Sequence, residues 1–437
     1  MLKKLGGIAL QPDDIQWLLT PTALKAELLK QIAQAKSAIT IAALYLEDDE
    51  AGREILTALM AAKEKNPLLD VTVLVDFHRA RRGLIGHKGD SGNYFMYREF
   101  NHKAAHPIKM LGVPVKSREF MGVLHLKGFI FDDTVIYSGA SLNNIYLQQG
   151  DKYRFDRYHM ITSKELASSM RQMIQDHIES DKAVTSLTQN ADSEVLPDKA
   201  DVRTLKNRLS SASYQFKACF DGNRITPVVG LGRKRNQLNN LVMDLVNQST
   251  LSLFICTPYF NPPYILSRAL SKHLKQGKRL DIVVGDKTSN DFFIPEDQDF
   301  STIGALPYLY EQSLRKFARR QQWAINKGLL NIHLWKHDRN SYHLKGISAD
   351  KRYHLITGSN LNPRAWALDL ENGLLLQDEE GVWESQFAAE QAHILQHTSR
   401  LEHYKQIETL KDYPDPVKKI MKRIRRLRAD LLLRRIL

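Results

Sequence analysis

One pattern of chemically capable residues, His-x-Lys-x4-Asp, occurs twice in this chain of 437 residues, in copies 218 positions apart. Residues i and i+2 of a strand share a face, so each copy is expected to present an imidazole beside an ammonium. A neutral imidazole can attack phosphorus, and an ammonium can stabilise charge that grows on phosphoryl oxygens. The pattern therefore indicates phosphoryl transfer. The predicted catalytic residues are His125, Lys127, Asp132, His343, Lys345 and Asp350.

Each copy is followed by a block that begins with glycine and supplies further polar groups. Hydroxyl and amide groups there can donate to phosphate, and the predicted phosphate-binding residues are Asn143, Ser359 and Asn362. Position 140 is alanine where the second copy has Ser359, so the two copies differ in their donors. Asp156 and Glu371, which lie in apolar surroundings, are expected to hold the histidine tautomers. The two aspartates of the motifs are either catalytic or orient the strand and turn.

The elements around the motifs are also duplicated. Apolar strand patterns at 39–45 and 253–259 are each followed by a helical pattern and a second strand that ends in an acid. Strands that alternate with helices predict an α/β fold with a mixed sheet in each half. The predicted division is domain 1 at 1–180, a polar linker at 181–200, domain 2 at 201–416 and a basic amphipathic helix at 417–437.

Charge is concentrated at the C-terminus. The chain carries a net charge of +13, and residues 417–437 contain nine basic residues and one acid, a net charge of +8. An amphipathic helix of this kind can lie on an anionic membrane. The alternatives are a helix packed on the protein body with an exposed basic face, or a site for nucleic acid or the ribosome. The predicted membrane-binding residues are Lys418, Lys419, Lys422, Arg423, Arg425 and Arg426.

Composition excludes several classes of protein. Two cysteines, Cys219 and Cys256, cannot form a disulfide framework and lack metal-ligand spacing, which fits a reducing compartment. The N-terminal apolar run is too short for a signal peptide, and no apolar stretch reaches the ~18 residues of a membrane span. We therefore predict a cytoplasmic protein, peripherally associated with the inner face of the cytoplasmic membrane.

The paired motifs resemble those of the phospholipase D superfamily. Within it, Gly122–Gly128, Tyr137–Asn143 and Cys256–Asn261 are similar to stretches of the Gram-negative bacterial CDP-diacylglycerol–serine O-phosphatidyltransferases. The resemblance runs nearly end to end. It implies two similar domains with one active site at their interface, and transfer of phosphatidyl from CDP-diacylglycerol to L-serine with release of CMP. It also implies a phosphatidyl-histidine intermediate on His125, with His343 as acid and base.

No metal or other cofactor is expected, because two lysines and two asparagines would take the place of metal ions at the phosphoryl group. The predicted partners are the two substrates, an anionic membrane, and possible additional contacts with the ribosome or a second copy in a homodimer. The residues that end strands beside the site are the candidates for substrate binding: Tyr45, Glu47, Tyr259 and Asp286.

Three alternatives stay open on the residues: a nuclease, a phospholipase or cardiolipin synthase, and a non-catalytic membrane or ribosome adaptor. Two intact motifs argue against the adaptor, and the length of the resemblance argues against the nuclease. The metal-dependent alcohol phosphotransferases are excluded, because Asp221-Gly222 is preceded by Ala218 where their Asp-x-x-Asp-Gly core requires an acid.

Overall fold

A computed structural model describes residues 2–82, 92–188 and 196–426, except the side chains of Lys3 and Arg425. The strands of these ranges are β1 (Ile8–Ala9), β2 (Ile15–Leu18), β3 (Ala38–Ala42), β4 (Asp70–Asp76), β5 (Lys109–Val113), β6 (Leu124–His125), β7 (Gly128–Phe131), β8 (Thr134–Ser138), β9 (Arg154–Phe155), β10 (Tyr158–Thr162), β11 (Thr185–Ser186), β12 (Arg224–Leu231), β13 (Ser252–Thr257), β14 (Arg279–Gly285), β15 (Leu330–Trp335), β16 (Ser341–Tyr342), β17 (Gly346–Ala349), β18 (Tyr353–Thr357), β19 (Leu370–Gln377) and β20 (Thr398–Leu401). The α-helices are α1 (Pro21–Gln34), α2 (Glu50–Lys65), α3 (Phe77–Arg81), α4 (Tyr94–Lys103), α5 (Lys164–Ile174), α6 (Lys199–Leu209), α7 (Gln237–Gln248), α8 (Tyr264–Lys275), α9 (Leu306–Arg320), α10 (Gln322–Asn326), α11 (Pro363–Ala367), α12 (Glu384–Leu395) and α13 (Asp415–Arg426).

Two mixed sheets with the same strand order form the two halves, which confirms the predicted α/β class. Within the described ranges the first sheet runs β11-β5-β4-β3-β7-β8-β10-β2, and the second runs β20-β15-β14-β13-β17-β18-β19-β12-β1. In each, three consecutive parallel strands (β3–β5 and β13–β15) adjoin an antiparallel group. Helices α1 and α2 pack beside the first sheet, and α7 and α8 take the same places beside the second.

Apolar burial joins the halves. One core contains Ile130 and Tyr137 of the first sheet together with Ile356 and Leu374 of the second. Two further large cores consist of residues between 18 and 187 and, apart from Leu2, of residues between 228 and 407. All four of these side chains are almost fully buried, and burying an aliphatic or aromatic side chain of this size stabilises a fold by about 2 kcal/mol. The halves are therefore packed through a shared hydrophobic core.

Short strands also cross between the halves. Strand β6 of the first half pairs in parallel with β19 of the second, and β9 pairs in parallel with β16. The register places His125 opposite Glu371, and the His343 N–H donates to the Phe155 carbonyl oxygen, one residue before Asp156. The backbone thus brings each motif histidine to an acid of the other half.

The expected linker differs from the observed chain. Thr185 and Ser186 form β11, which pairs with Gly112 and Leu111 at the edge of the first sheet, and α6 begins already at Lys199. Polar side chains suit an edge strand, because one side of it faces solvent. Residues 189–195 of the predicted linker lie outside the described residues, and the domain boundaries stay a prediction.

Candidate active site

The two motifs lie at the ends of short strands rather than within continuous ones. His125 ends β6, and Lys127 follows before β7 begins at Gly128. In the second copy, His343 follows the end of β16, and Lys345 directly precedes β17. Gly128 and Gly346, which follow the two lysines, have φ of 139° and 150°. These backbone angles favour glycine, so each allows the chain to turn from the motif into the next strand. The prediction that the histidine and the lysine of each motif lie on one strand is therefore wrong.

His125 is held by one acceptor. Its Nδ1 lies 2.8 Å from Glu371 Oε2, and both side chains are nearly covered. Burial raises the pKa of Glu371 well above its usual range. In its ionised form the Glu371 carboxylate accepts Nδ1–H, which leaves the Nε2 lone pair available. Burial, with repulsion from the Lys127 and Lys345 ammonium groups, lowers the pKa of His125 well below its usual range. The lowered pKa favours the neutral imidazole, the form that can attack phosphorus.

His343 has more neighbours. Its Nδ1 lies 2.8 Å from the Tyr146 hydroxyl and 3.3 Å from Asp156 Oδ2, and Lys345 Nζ contacts the same nitrogen. Burial, with the Lys345 charge, lowers the pKa of His343 well below its usual range. Because His343 Nδ1 has both a donor, Lys345, and an acceptor, Asp156, beside it, either tautomer of this ring can be held, whereas His125 has a single carboxyl partner.

The lysines are buried among polar groups from both halves. Lys127 Nζ donates to the Ala140 carbonyl and the Ser141 hydroxyl at 3.1 Å each, and Lys345 Nζ lies 3.2 Å from Asp156 Oδ2. Burial, together with Lys345, lowers the pKa of Lys127 to about 7. Ser141 belongs to the polar block of the first copy but was not among the predicted phosphate-binding residues, and it supplies a hydroxyl next to Ala140.

The two glycines that open the polar blocks make room for the motif of the other half. A Cβ on Gly139 would lie 3.1 Å from Lys345 Nζ and 2.7 Å from Asp156 Oδ2. A Cβ on Gly358 would lie 2.8 Å from Lys127 Cγ. Glycine is needed at both positions because a side chain would displace Lys345, Asp156 or Lys127.

The asparagines present their amide nitrogens by fixing their oxygens. Asn143 Oδ1 accepts the Tyr146 N–H at 3.0 Å, and Asn362 Oδ1 accepts the Ala365 N–H at 2.9 Å, as the cap of α11. Both residues are buried, as is Ser359. Because each Oδ1 already accepts a backbone N–H, the NH2 group of each amide is the part that can donate to a phosphoryl oxygen.

Asp132 and Asp350 occupy structural positions in the two turns. Asp132 accepts N–H bonds from Lys36, Ser37 and Ala38, and Asp350 accepts them from residues 250–252 and a hydroxyl bond from Ser249. Burial opposes ionisation, but these bonds lower the pKa of both carboxyl groups. The contacts match the orienting role, the second of the two possibilities that the sequence left open.

We expect Asp350→Ala to lower stability far more than activity. Loss of the carboxylate leaves several backbone N–H groups without an acceptor, and this should reduce the free energy of unfolding by about 3 kcal/mol. Thermal melting and kcat of the folded fraction measure the two effects, with exposed Asp338→Ala as the control. A melting temperature equal to the control and a hundredfold loss of kcat would instead make Asp350 catalytic.

The substrate-binding candidates do not lie together but occupy three places. Tyr259 lies beside the site, with its ring 6.1 Å from that of His343, and Tyr45 and Glu47 lie next to Arg79. Asp286 instead caps a short turn by accepting the Thr288 N–H and lines a cavity of about 250 Å³. No contact between Asp286 and the motif side chains occurs among the described residues.

Sequence reasoning missed several polar residues at the site. Tyr146 contacts His343, and Arg154 forms a 2.9 Å ion pair with Asp291. Arg154 directly precedes the Phe-Asp dipeptide that contains Asp156, and this proximity was the available signal. No group of three His, Cys, Asp or Glu side chains that could hold a metal ion occurs within 2–82, 92–188 and 196–426.

The C-terminal helix α13 packs on the body of the protein. Val417 and Met421 are buried against Tyr308 and Tyr413, with Ile424 half-buried beside them. Lys419, Lys422, Arg423 and Arg426 are exposed, and Lys418 is partly covered beside Asp415. These contacts match the alternative in which the apolar side of the helix packs on the protein body and the basic face is exposed. Residues 427–437, which complete the predicted basic segment, lie outside the described residues.

Comparisons with known proteins agree on one family. Residues 28–178 and 242–394 match the family described as cardiolipin synthase, PLD-like domain. The chain is 45% identical to the CDP-diacylglycerol–serine O-phosphatidyltransferase PssA of Escherichia coli (strain K12), over all of this chain and 97% of that protein. It is 44% identical to the enzyme of the same name from Haemophilus influenzae, again over all of this chain and 97% of that protein.

A solved structure matches over the whole chain. The crystal structure of phosphatidylserine synthase from Haemophilus influenzae Rd KW20 superposes with a TM-score of 0.96 at 43% sequence identity, covering 100% of this chain and 98% of that one.

None of the helices in the described ranges is long and apolar enough to cross a membrane.

Proposed function

The chain belongs to the phospholipase D-like family and, within it, to the CDP-diacylglycerol–serine O-phosphatidyltransferases, and on this premise we propose that it transfers phosphatidyl from CDP-diacylglycerol to L-serine. The products are phosphatidylserine and CMP. Full-length identity of 45% to a relative of that name carries the assignment of activity. The crossed pairing of each motif histidine with an acid of the other half supports a single composite site.

In the first step, His125 Nε2 attacks the phosphorus that bears diacylglycerol. A nitrogen–phosphorus bond forms, the bond from phosphorus to the CMP oxygen breaks, and CMP leaves as a phosphate. The Lys127 and Lys345 ammonium groups, with the amides of Asn143 and Asn362, stabilise the charge on the phosphoryl oxygens. The tautomer that Glu371 favours in His125 supports this histidine as the nucleophile.

In the second step, the serine hydroxyl oxygen attacks the same phosphorus. The nitrogen–phosphorus bond breaks, an oxygen–phosphorus bond forms, and the hydroxyl proton passes to His343 Nε2. The low pKa of His343 keeps it neutral and able to accept this proton. General base assistance of this kind contributes about 10²–10⁴ in rate.

Serine-dependent release of CMP tests the activity. Purified protein with CDP-diacylglycerol in mixed micelles should release more than one equivalent of CMP per enzyme only when L-serine is present, and the lipid product should be phosphatidylserine. The same rate without serine, with phosphatidic acid as the product, would favour a phospholipase. Glycerol-containing lipids as the preferred acceptors would favour a cardiolipin synthase.

Reversible association with the inner face of the cytoplasmic membrane completes the proposal. The substrate is a membrane lipid, and α13 exposes basic residues along one side. Each basic residue near an anionic surface contributes about 1 kcal/mol, an effect that salt weakens. Ribosome binding and a homodimer remain predictions from the sequence.

We expect neutralisation of three exposed residues, Lys419→Gln, Lys422→Gln and Arg423→Gln, to weaken binding to anionic vesicles about 100-fold at low salt. Vesicle sedimentation measures the affinity. The apolar contacts of Val417 and Met421 are retained, so folding is preserved better than by truncation. The control changes three exposed lysines elsewhere to Gln: Lys152, Lys182 and Lys275. Equal weakening in both variants would remove the special role of α13.

A further inference from the structure

A nearly covered ion pair beside His343 takes no part in the phosphoryl chemistry. Arg154 of β9 comes from the first half, and Asp291 follows β14 in the second half. Arg154 Nη2 lies 2.9 Å from Asp291 Oδ1, with side-chain exposures of 14% and 12%. Both groups are therefore largely desolvated, and each retains a small opening toward solvent or a ligand.

One tyrosine links each member of the pair to His343. Asp291 Oδ2 accepts the Tyr259 hydroxyl at 2.7 Å, and the Tyr259 ring lies edge-on to His343 at 6.1 Å. On the other side, the Arg154 guanidinium lies 4.7 Å from the centre of the Tyr146 ring, whose hydroxyl is 2.8 Å from His343 Nδ1. The pair thus borders the histidine that would receive the acceptor's proton.

Stability does not explain why two charges are placed here. A buried ion pair contributes little net stability, because the loss of hydration offsets the attraction. Each member nevertheless keeps its charge. Burial opposes ionisation of Asp291, but the Arg154 guanidinium and His343 lower the pKa of its carboxyl group. A fixed carboxylate and a fixed guanidinium remain available for a ligand.

We propose that Arg154 and Asp291 bind the amino-acid acceptor, with its carboxylate on Arg154, its ammonium on Asp291 and its hydroxymethyl group directed to His343. The inference rests on the proposed function and deepens it. Serine carries its ammonium, carboxylate and hydroxymethyl groups on one carbon. Two opposite charges beside His343 that bind the ammonium and the carboxylate therefore also orient the hydroxymethyl group. Water has neither charge, so it gains nothing from the pair and is disfavoured as an acceptor.

A second ion pair offers a comparison. Arg79 Nη2 lies 3.9 Å from Glu47 Oε2, and the Arg79 guanidinium lies over the Tyr45 ring. This pair is looser, and it lies entirely in the first half. No hydrogen bond, ion pair or ring contact joins it to His343 among the described residues. The contacts therefore favour Arg154 and Asp291 as the acceptor site, and Glu47 serves as a comparison in the test.

The test separates the two half-reactions and varies the acceptor. Exchange of labelled CMP into CDP-diacylglycerol reports the first step without serine, and the KM for serine reports the second. We expect Asp291→Asn and Arg154→Gln each to raise the serine KM at least ~50-fold, a much larger change than in exchange. Glu384→Gln, which removes the acid of an exposed ion pair with Lys351, is the control and should alter neither.

Acceptor analogues identify which charge each residue recognises. Ethanolamine lacks the carboxylate, and 3-hydroxypropanoate lacks the ammonium. Arg154→Gln should narrow the preference for serine over ethanolamine, and Asp291→Asn should narrow the preference for serine over 3-hydroxypropanoate. A general structural fault would lower all acceptors together and would not give this crossed pattern.

The inference is overturned if both variants slow exchange as much as transfer, or if the acceptor preferences do not change. It is also overturned if Glu47→Gln gives the crossed pattern instead. Failure of the proposed function would give a different result, because the wild-type protein would then show no serine-dependent release of CMP. Calorimetric binding of serine to the wild type, lost in Asp291→Asn, supports the site independently of turnover.

Discussion

Replacement of His125 with Gln should abolish both transfer to serine and exchange of CMP, with a loss on the order of 10⁴-fold or more. The nucleophile is needed in both half-reactions, and no neighbouring group replaces its Nε2. Replacement of His343 with Gln should have a different result. CMP is a fairly good leaving group, so the first step persists, while removal of the base slows the second step by about 10²–10⁴.

A trapping experiment distinguishes the two histidines. With CDP-diacylglycerol labelled in the diacylglycerol moiety, the His343→Gln variant should accumulate label on a peptide that contains His125. The His125→Gln variant should hold no label, and exposed His102→Gln should behave as the wild type. Label on His343 in the His125→Gln variant would reverse the two roles.

Removal of either motif lysine should lower kcat by about 10²–10³, because each donates to oxygens whose charge grows in the transition state. The dependence of kcat/KM on pH gives a sharper expectation, first for the wild type and then for Lys345→Met. Burial and the charge of Lys345 lower the pKa of Lys127 to about 7. In the free enzyme the Lys127 charge is therefore present below pH 7 and lost above it, so kcat/KM should fall as pH rises through about 7.

The sign of the shift in Lys345→Met is fixed by the same argument. Loss of a neighbouring positive charge raises the pKa of Lys127, so the alkaline limb of kcat/KM should move to higher pH. Exposed Lys351→Met is the matched control and should leave the profile unchanged. A limb that stays at the wild-type position in Lys345→Met would show that Lys127 does not determine it.

The duplicated motif predicted much of the fold and of the catalytic groups. The α/β class and the two matching halves follow from apolar runs that alternate with helical patterns, and these depend on local sequence. The crossing strands β6 and β9 were not predictable, because each is only two residues long and has no periodicity of its own. The strands with which they pair are more than 180 residues away in the sequence. Tertiary packing therefore determines which acid contacts each histidine.

The same limit applies to the ion pair of Arg154 and Asp291. Each residue alone is an ordinary charged side chain, and 137 positions separate them. Helix α13 shows the opposite case. Its amphipathic spacing was evident, but spacing does not reveal whether the apolar side faces a membrane or the aromatic cluster around Tyr308.

The crossed strands also have a consequence for the order of events during synthesis. A chain that leaves the ribosome has His125 and the whole first sheet early, but it lacks Glu371 and the partner strand β19 until 370 or more residues have been made. Before then His125 lacks its acid of the other half, although His343, Asp156 and both lysines are complete once residue 345 has been made. On the proposed mechanism, the carboxyl group that holds His125 therefore arrives only when β19 pairs with β6, as the second half folds onto the first.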